Sequence, residues 1–406
     1  MRKTFAGTVL FLSLTFAPTY AYCSSAQSNP ESIETIETIK GGNIAINFYP
    51  QDPVASELEQ IKIPADWLTN GHLDSARFAV DDYRVTRSNR PYPIAKQEQE
   101  NTLLYDPTDL RFDQVQSYVV AILTLKMWEK YAGRNLDWQW APPYSFDNKL
   151  TLVPHFNNVS AGYNRGEGQV RLFFIQDPRL DKLIQASQSL EIVAHEIGGH
   201  AILDGWKPEY NSTMTGNAFI ESLGDLSAML LSLHSSQVLD RVLRDTQGNI
   251  RKSNVVTRQG EEMSYAFAII GGIPPEKAKD YIERDAANSF SLGDPIEDNS
   301  HNFSQLFSGA VWDLICEMYE KQLLKGETAK TALIQARDEV GALLARTIDL
   351  APSQLYSYQP LAEAMLRADQ EYSGGKYQET ILKVMVSRKI FTPPKSFTPQ
   401  KPLEMP

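Results

Sequence analysis

The sequence predicts an α+β protein in which a small mixed α/β lobe is followed by a mainly α-helical one. Three observations carry this reading. Val115, Tyr118, Val119, Ile122, Leu123, Leu125 and Trp128 recur at helical spacing and end at Gly133, a helix stop signal. Two apolar runs at residues 150–154 and 169–175 then read as strands. Beyond about residue 180 the chain is almost entirely helical in pattern.

Taken in order, Met1-Arg2-Lys3, the apolar run from Phe5 to Phe16 and the residues around Thr19-Tyr20-Ala21 have the layout of a secretory signal peptide over 1–21. Residues 22–100 are rich in Ser, Glu, Gln, Pro and Asn and read as a loosely structured N-terminal extension, with a weak strand-like alternation at 43–48. Residues 101–215 form the α/β lobe: a helix at 112–132, the two strands, the turn Asn164-Arg165-Gly166-Glu167-Gly168 before the second, and a helical stretch at 180–204. Residues 216–406 form the helical lobe, with segments near 216–235, 275–287, 303–324, 327–347, 359–371 and 376–389. A proline-rich tail from Thr392 to Pro406 reads as extended surface chain.

The formal charge of the whole chain is −11. Cleavage after Ala21 would remove Arg2 and Lys3 and take it to −13, a balance that argues against nucleic acid and anionic membrane surfaces as partners. No stretch beyond the signal reaches the 18 or more apolar residues of a membrane span, so the mature protein is expected to be secreted or periplasmic. Cys23 follows the cleavage point, but Tyr22 before it is bulkier than the residue that lipid-modified cysteines usually follow, and no anchor is assigned. Cys316 sits in an apolar helical pattern and reads as a buried small hydrophobe.

Residues 195–200 read His-Glu-Ile-Gly-Gly-His, one residue longer than the His-Glu-x-x-His signature by which a helix presents two zinc ligands and a carboxylate base. On an ideal helix, residues four apart lie about 40° from each other, whereas residues five apart diverge by about 140°. His195 and His200 therefore share a metal only if the helix carries a one-residue bulge of the π type. Gly198 and Gly199 make the helix soft at that place, since each glycine costs about 1 kcal/mol relative to alanine in a helix interior. Otherwise the motif is broken and the protein is a relic.

A zinc hydrolase needs three protein ligands, an open position, a base and a group to stabilise the oxyanion. His195 and His200 would be two ligands and Glu196 the base. Glu221 would enter as third ligand from a neighbouring helix, and Asp225 shares its face at i+4, where it could accept the second ring N–H of a ligand histidine. His301 would donate to the oxyanion.

Together these residues resemble the thermolysin-like zinc metallopeptidases, the gluzincins, in which a His-Glu-x-x-His helix is followed some twenty residues later by a ligand glutamate in an Asn-Glu-x-x-x-Asp setting. Here Glu221 stands 21 residues after His200, with Asp225 in the matching relation. Ser291-Leu292-Gly293-Asp294-Pro295 and the stretch from His301 to Asp313 look like the family segment that carries the transition-state histidine. The stretch from Val153 to Phe174 looks like its hairpin and substrate-binding edge strand, around Ser160-Ala161-Gly162-Tyr163. The similarity covers roughly residues 105 to 325. It implies a thermolysin-like fold, one zinc ion, a peptide or protein substrate bound at Ser160 and Ala161, and hydrolysis by a zinc-activated water.

The chain departs from that family in the inserted glycine and in Ser160, which stands where an asparagine usually orients substrate. The pattern His-Glu-x-x-Gly-His also occurs in the zinc-binding dipeptidyl peptidase III enzymes, and the resemblance to them is confined to that spacing. The alternative reading is a non-catalytic binding protein of gluzincin fold with a degenerate metal site. His72, His155 and His234 read as structural or solvated, Tyr163 and Tyr210 as possible cleft residues without a role. Asp294 is the position considered for calcium, but no acidic cluster stands beside it and no calcium is assigned.

Overall fold

Asp109 starts the first helix, α1 (Leu110–Ala132), by accepting a hydrogen bond from the Arg111 N–H at 2.9 Å, and Gly133 ends it in the left-handed region at φ 67°. The helix is buried on nearly every side, from Phe112 to Ala132, which marks it as a central element rather than a surface one. In the computed structural model, residues 43–82, 93–97, 99, 102–139, 149–156, 160–180, 183–296 and 299–393 are described. The predicted signal segment, Cys23 and most of the proline-rich tail fall outside them.

The strands are β1 (Ile44–Phe48), β2 (Glu59–Ile63), β3 (Phe78–Val80), β4 (Thr102–Leu103), β5 (Leu150–Phe156), β6 (Gly162–Asn164), β7 (Gln169–Ile175), β8 (Ile184–Gln185), β9 (Arg258–Gln259) and β10 (Arg284–Asp285). The main sheet has the order β3-β5-β7-β6, with β3, β5 and β7 parallel and β6 antiparallel to β7. β8 pairs with the end of β7, through Phe174 and Ile175. A bulge between Val153 and Phe156 bends β5. This sheet lies against α1, whose neighbours include β3, β5 and α2 (Leu190–His195).

After α2 the axis continues as a π-helical segment, Glu196–Ile202, and then as α3 (Leu203–Trp206). The remaining helices are α4 (Met214–Ser232), α5 (Ser236–Thr246), α6 (Glu261–Ile270), α7 (Pro275–Ala278), α8 (Ser300–Leu324), α9 (Ala329–Leu350), α10 (Gln359–Ser373) and α11 (Gln378–Ser387). Ser189, Thr213, Ser235, Asn299 and Thr328 cap α2, α4, α5, α8 and α9 with side-chain oxygens that accept from the first turn. α4 is apolar and buried along almost its whole length because it is packed against α2, the π segment and α8 together. The architecture is a mixed α/β one, and its strands and helices belong to a single compact unit. Among the described residues no helix is long and apolar enough to cross a membrane.

Several expectations are corrected. The stretch 43–82 is built into the core rather than loosely structured: β1 alternates buried and half-buried, with Ile44, Ile46 and Phe48 inside. Its polar residues concealed this, because Gln51 is buried with partners far along the chain, Val255 O and Ser232 Oγ. The helical run expected at 180–204 starts only at Leu190, and 275–287 is the short α7 followed by β10. Helices α5 and α6 were not anticipated, although Val238, Leu239, Val242 and Thr246 of α5 are buried at helical spacing. Cys316 is a buried free thiol in α8, as expected.

Candidate metal centre

Ser189 caps α2 so that His195 lies at its last position, pointing at α4. From Glu196 the helix switches to π-type winding, in which hydrogen bonds close from i to i+5 and five residues make about one turn. The bulge expected at Gly198-Gly199 is thus present, spread over seven residues. His200 returns to the face of His195, with ring centroids 5.4 Å apart.

Close packing against α4 explains the two glycines. A Cβ on Gly199 would lie 2.5 Å from Gly224 N and 2.6 Å from both Gly224 Cα and Ile220 O, all backbone atoms. A Cβ on Gly198 would overlap Ser227 Oγ, which accepts from the Trp128 indole N–H at 2.9 Å. On the facing helix, a Cβ on Gly224 would meet the His195 ring at 2.5 Å. The widened turn therefore fits only where both helices lack side chains.

Glu221, between Ile220 and Gly224 on α4, points into the same space. Its carboxylate lies 3.3 Å from His195 Nε2 and 3.7 Å from His200 Nε2. Ligand atoms about 2.1 Å from one tetrahedral metal ion lie about 3.4 Å apart, so these three groups fit a shared ion. Glu196 also lies within reach, its ligand-capable oxygen within 4.8 Å of those of both histidines. Two carboxylates thus face one histidine pair. Glu221 is the closer to both rings, whereas Glu196 keeps its buried Oε2 without a partner, as an acceptor awaiting a proton would.

The supporting atoms are ordered in the way metal-ligating histidines require. His195 Nδ1 donates to Asp225 Oδ1 at 3.1 Å, which leaves Nε2 facing Glu221. Asp225 is 2% exposed and is gripped by Arg284, whose Nε and Nη2 donate to its two oxygens at 2.7 Å. Burial favours the neutral acid at Asp225, but Arg284 and His195 outweigh it and hold the carboxyl below its usual value. Burial likewise opposes charge on His195, yet Asp225 and Glu221 raise it to about 10. At Glu221 the penalty of burial is overcome by His195, His200 and His301, which keep it well below the usual carboxylate range. The acidic surroundings thus favour a proton on His195, which a metal cation would displace.

His301 lies in the first turn of α8, which starts at Ser300, slightly earlier than expected. Asn299 provides the cap, so His301 is free of that duty; its Nε2 lies 3.4 Å from Glu221 and its side chain is 62% exposed. Ser160 and Ala161 line the cavity but precede β6 rather than lying within it. All the residues singled out from sequence, His195, Glu196, His200, Glu221, Asp225, His301, Ser160 and Ala161, meet at one cavity of about 370 Å³.

Sequence reasoning missed Arg284, Glu191, Glu283 and Met263 of the same lining. Arg284 lies on a two-residue strand with no motif around it, and Glu191 precedes His195 by one turn without any spacing rule to flag it. His155 is structural, buried between Asp82 Oδ2 at 2.8 Å and Asp113 Oδ2 at 2.6 Å. Tyr163 lines the cavity, and its hydroxyl donates to Asp204; Tyr210 is buried and donates to Pro352 O. Asp294 accepts from Ser291 N–H in a turn, and among the described residues it belongs to no group of three side chains placed to hold a metal. No protein-family profile matches the chain, and no curated protein sequence matches it.

Proposed function

We propose that the chain is an exported zinc-dependent metallopeptidase of the thermolysin-like type, working through a six-residue His-Glu-x-x-Gly-His helix. The observation that carries this reading is the convergence of His195, His200 and Glu221 at spacings suited to one tetrahedral ion, with Glu196 beside them. Two imidazoles and a carboxylate at the wall of a cavity are a donor set that suits zinc. Bound there, zinc would polarise a scissile carbonyl and ease ionisation of water.

The protein's own groups then divide the work. Glu196, buried and with Oε2 lacking a partner, takes the proton of the attacking water and returns it to the leaving amine. His301, on the opposite rim and exposed to solvent, donates to the oxygen that becomes negative. Asp225 and Arg284 lock the His195 ring so that Nε2 faces Glu221, where the two residues would hold the ion. The segment Ser160–Ala161 leads into β6, at the end of the main sheet, where an extended peptide can lie along the strand edge. The negative charge and the sequence of residues 1–21 support export and a peptide rather than nucleic-acid substrate.

Glu196→Gln tests the reading. Turnover of a mixed peptide library is expected to fall by about a thousandfold, within the range general-base removal allows, while zinc content stays near one per chain. A variant that cleaves at the parent rate overturns the assignment of the base, and purified parent protein holding less than about a tenth of a zinc per chain favours the relic.

A further inference from the structure

The cavity extends beyond the metal ligands to a region whose chemistry their role leaves unexplained. Glu191 precedes His195 by four residues, about 6 Å along the helix axis, and also lines the cavity. It is 2% exposed, and only one of its oxygens is engaged: Oε2 accepts the Gly260 N–H at 3.0 Å, while Oε1 is buried without a partner. Glu283 stands on the other side of Gly260, since a Cβ on that glycine would lie 2.7 Å from Glu283 Cγ. Unlike Glu191 it is exposed, so the pair marks a floor and a mouth. Ile192, Phe173 and Met263 are apolar residues of the same lining.

Acidic side chains outnumber cationic ones along this part of the lining. Arg284 is the only cation among the lining residues besides the histidines, and both its bonded nitrogens are spent on Asp225. Burial, together with Asp52 and Glu261 nearby, holds the Glu191 carboxyl well above the usual range. A buried acid in that condition gains from a positive partner brought to it. A bare metal ion is the wrong partner, because among the described residues Glu191 and Glu283 belong to no group of three side chains placed to hold one. A long side chain with an apolar stem and a cationic head matches a wall of Ile192, Phe173 and Met263 that ends in carboxylates.

We propose that this part of the cavity is a pocket for a cationic side chain, with the stem against Ile192 and Met263 and the charged head between Glu191 and Glu283. As a statement about substrate it rests on the peptidase reading: the chain would cleave next to lysine or arginine. As a statement about the pocket it stands without catalysis.

The test is calorimetric titration of the zinc-loaded full chain with n-butylguanidinium and with its neutral isostere n-butylurea. The cation is expected to bind at least about tenfold more tightly, a discrimination in the range of one desolvated charge-assisted contact. Glu191→Gln should bring the two ligands within about twofold of each other, and Glu283→Gln, at the exposed mouth, should cut the ratio about threefold. Equal binding of the two ligands overturns the proposal, as does a ratio that survives Glu191→Gln; if that variant does not fold, an unchanged ratio in Glu283→Gln overturns it. Tight calcium binding lost in Glu191→Gln, with no preference for the guanidinium, also overturns it. Peptide-library cleavage separates the two readings. Discrimination for the cation without any cleavage sinks the peptidase and keeps the pocket, whereas cleavage with no enrichment of basic residues and no discrimination sinks the pocket alone.

Discussion

Replacing Gly199 by alanine probes the feature on which the whole site depends. The added methyl would sit 2.5 to 2.6 Å from backbone atoms of Gly224 and Ile220, where carbon contacts prefer about 3.5 Å, so α4 must retreat by about 1 Å. Backbone cannot rotate aside as a side chain can, which puts the cost at the upper end of overpacking, about 2–3 kcal/mol. Glu221 lies between the two contacted residues and moves with them, whereas metal–ligand distances tolerate only about 0.2 Å. We expect a lower melting temperature together with a zinc affinity reduced about tenfold or more, read by calorimetry and by competition with a chromogenic chelator. Gly198→Ala supplies the contrast, because its methyl meets the Ser227 side chain. The loss there should be partly recovered in Gly198→Ala/Ser227→Gly, but no side-chain truncation should rescue Gly199→Ala. A Gly199→Ala protein with the parent's melting temperature and zinc affinity would refute the claim that backbone contact with α4 dictates the second glycine.

Asp225→Asn should weaken zinc binding by about 10- to 100-fold, because the His195 ring loses its anionic acceptor and Arg284 loses its counter-charge; an unchanged affinity in the same chelator competition would show that the ring is oriented by packing alone. His155 makes stability pH-dependent: burial opposes its charge, but Asp113 and Asp82 raise it to about 9, above the 6.5 of an unfolded chain. Its contribution, on the order of 3 kcal/mol, is therefore complete below pH 6.5 and lost as pH rises through about 9, offset in part because burial also raises Asp113. Urea midpoints should fall from pH 6.5 to 9.5 in the parent protein and fall less steeply in His155→Gln, since His195 keeps a dependence of the same sign; parallel curves would remove His155 as the cause.

Much of the site was legible because its signals are local or periodic. The six-residue spacing from His195 to His200 required a bulge if both rings were to share a metal, and the i+4 relation of Glu221 and Asp225 needed only the knowledge that both lie on one helix. The long helix from 112 was visible for the same reason, as was β7. The β1 strand was not, since its five residues sit in a polar stretch and are ordered by pairing with β2 and with the distant β4, while Gln51 just beyond it is buried against Ser232 and Val255, about two hundred residues away. Arg284 and Glu283 were hidden likewise: a two-residue strand has no period, and only its pairing with β9 brings it to the cavity.

The sequence by itself determined which residue types could meet, because helical phase is a property of spacing. It determined that His200 could rejoin His195 only through extra winding, and that glycine would permit it. Tertiary structure decided the rest: that α4 comes so close that glycine is required at 198, 199 and 224, that Asp225 is shared between His195 and Arg284, and that Glu191 is buried one turn away with an oxygen unpaired. The reason is range. Winding follows from neighbours a few residues apart, whereas interhelical distance and the enclosure of charge follow from segments that meet only when the chain has folded.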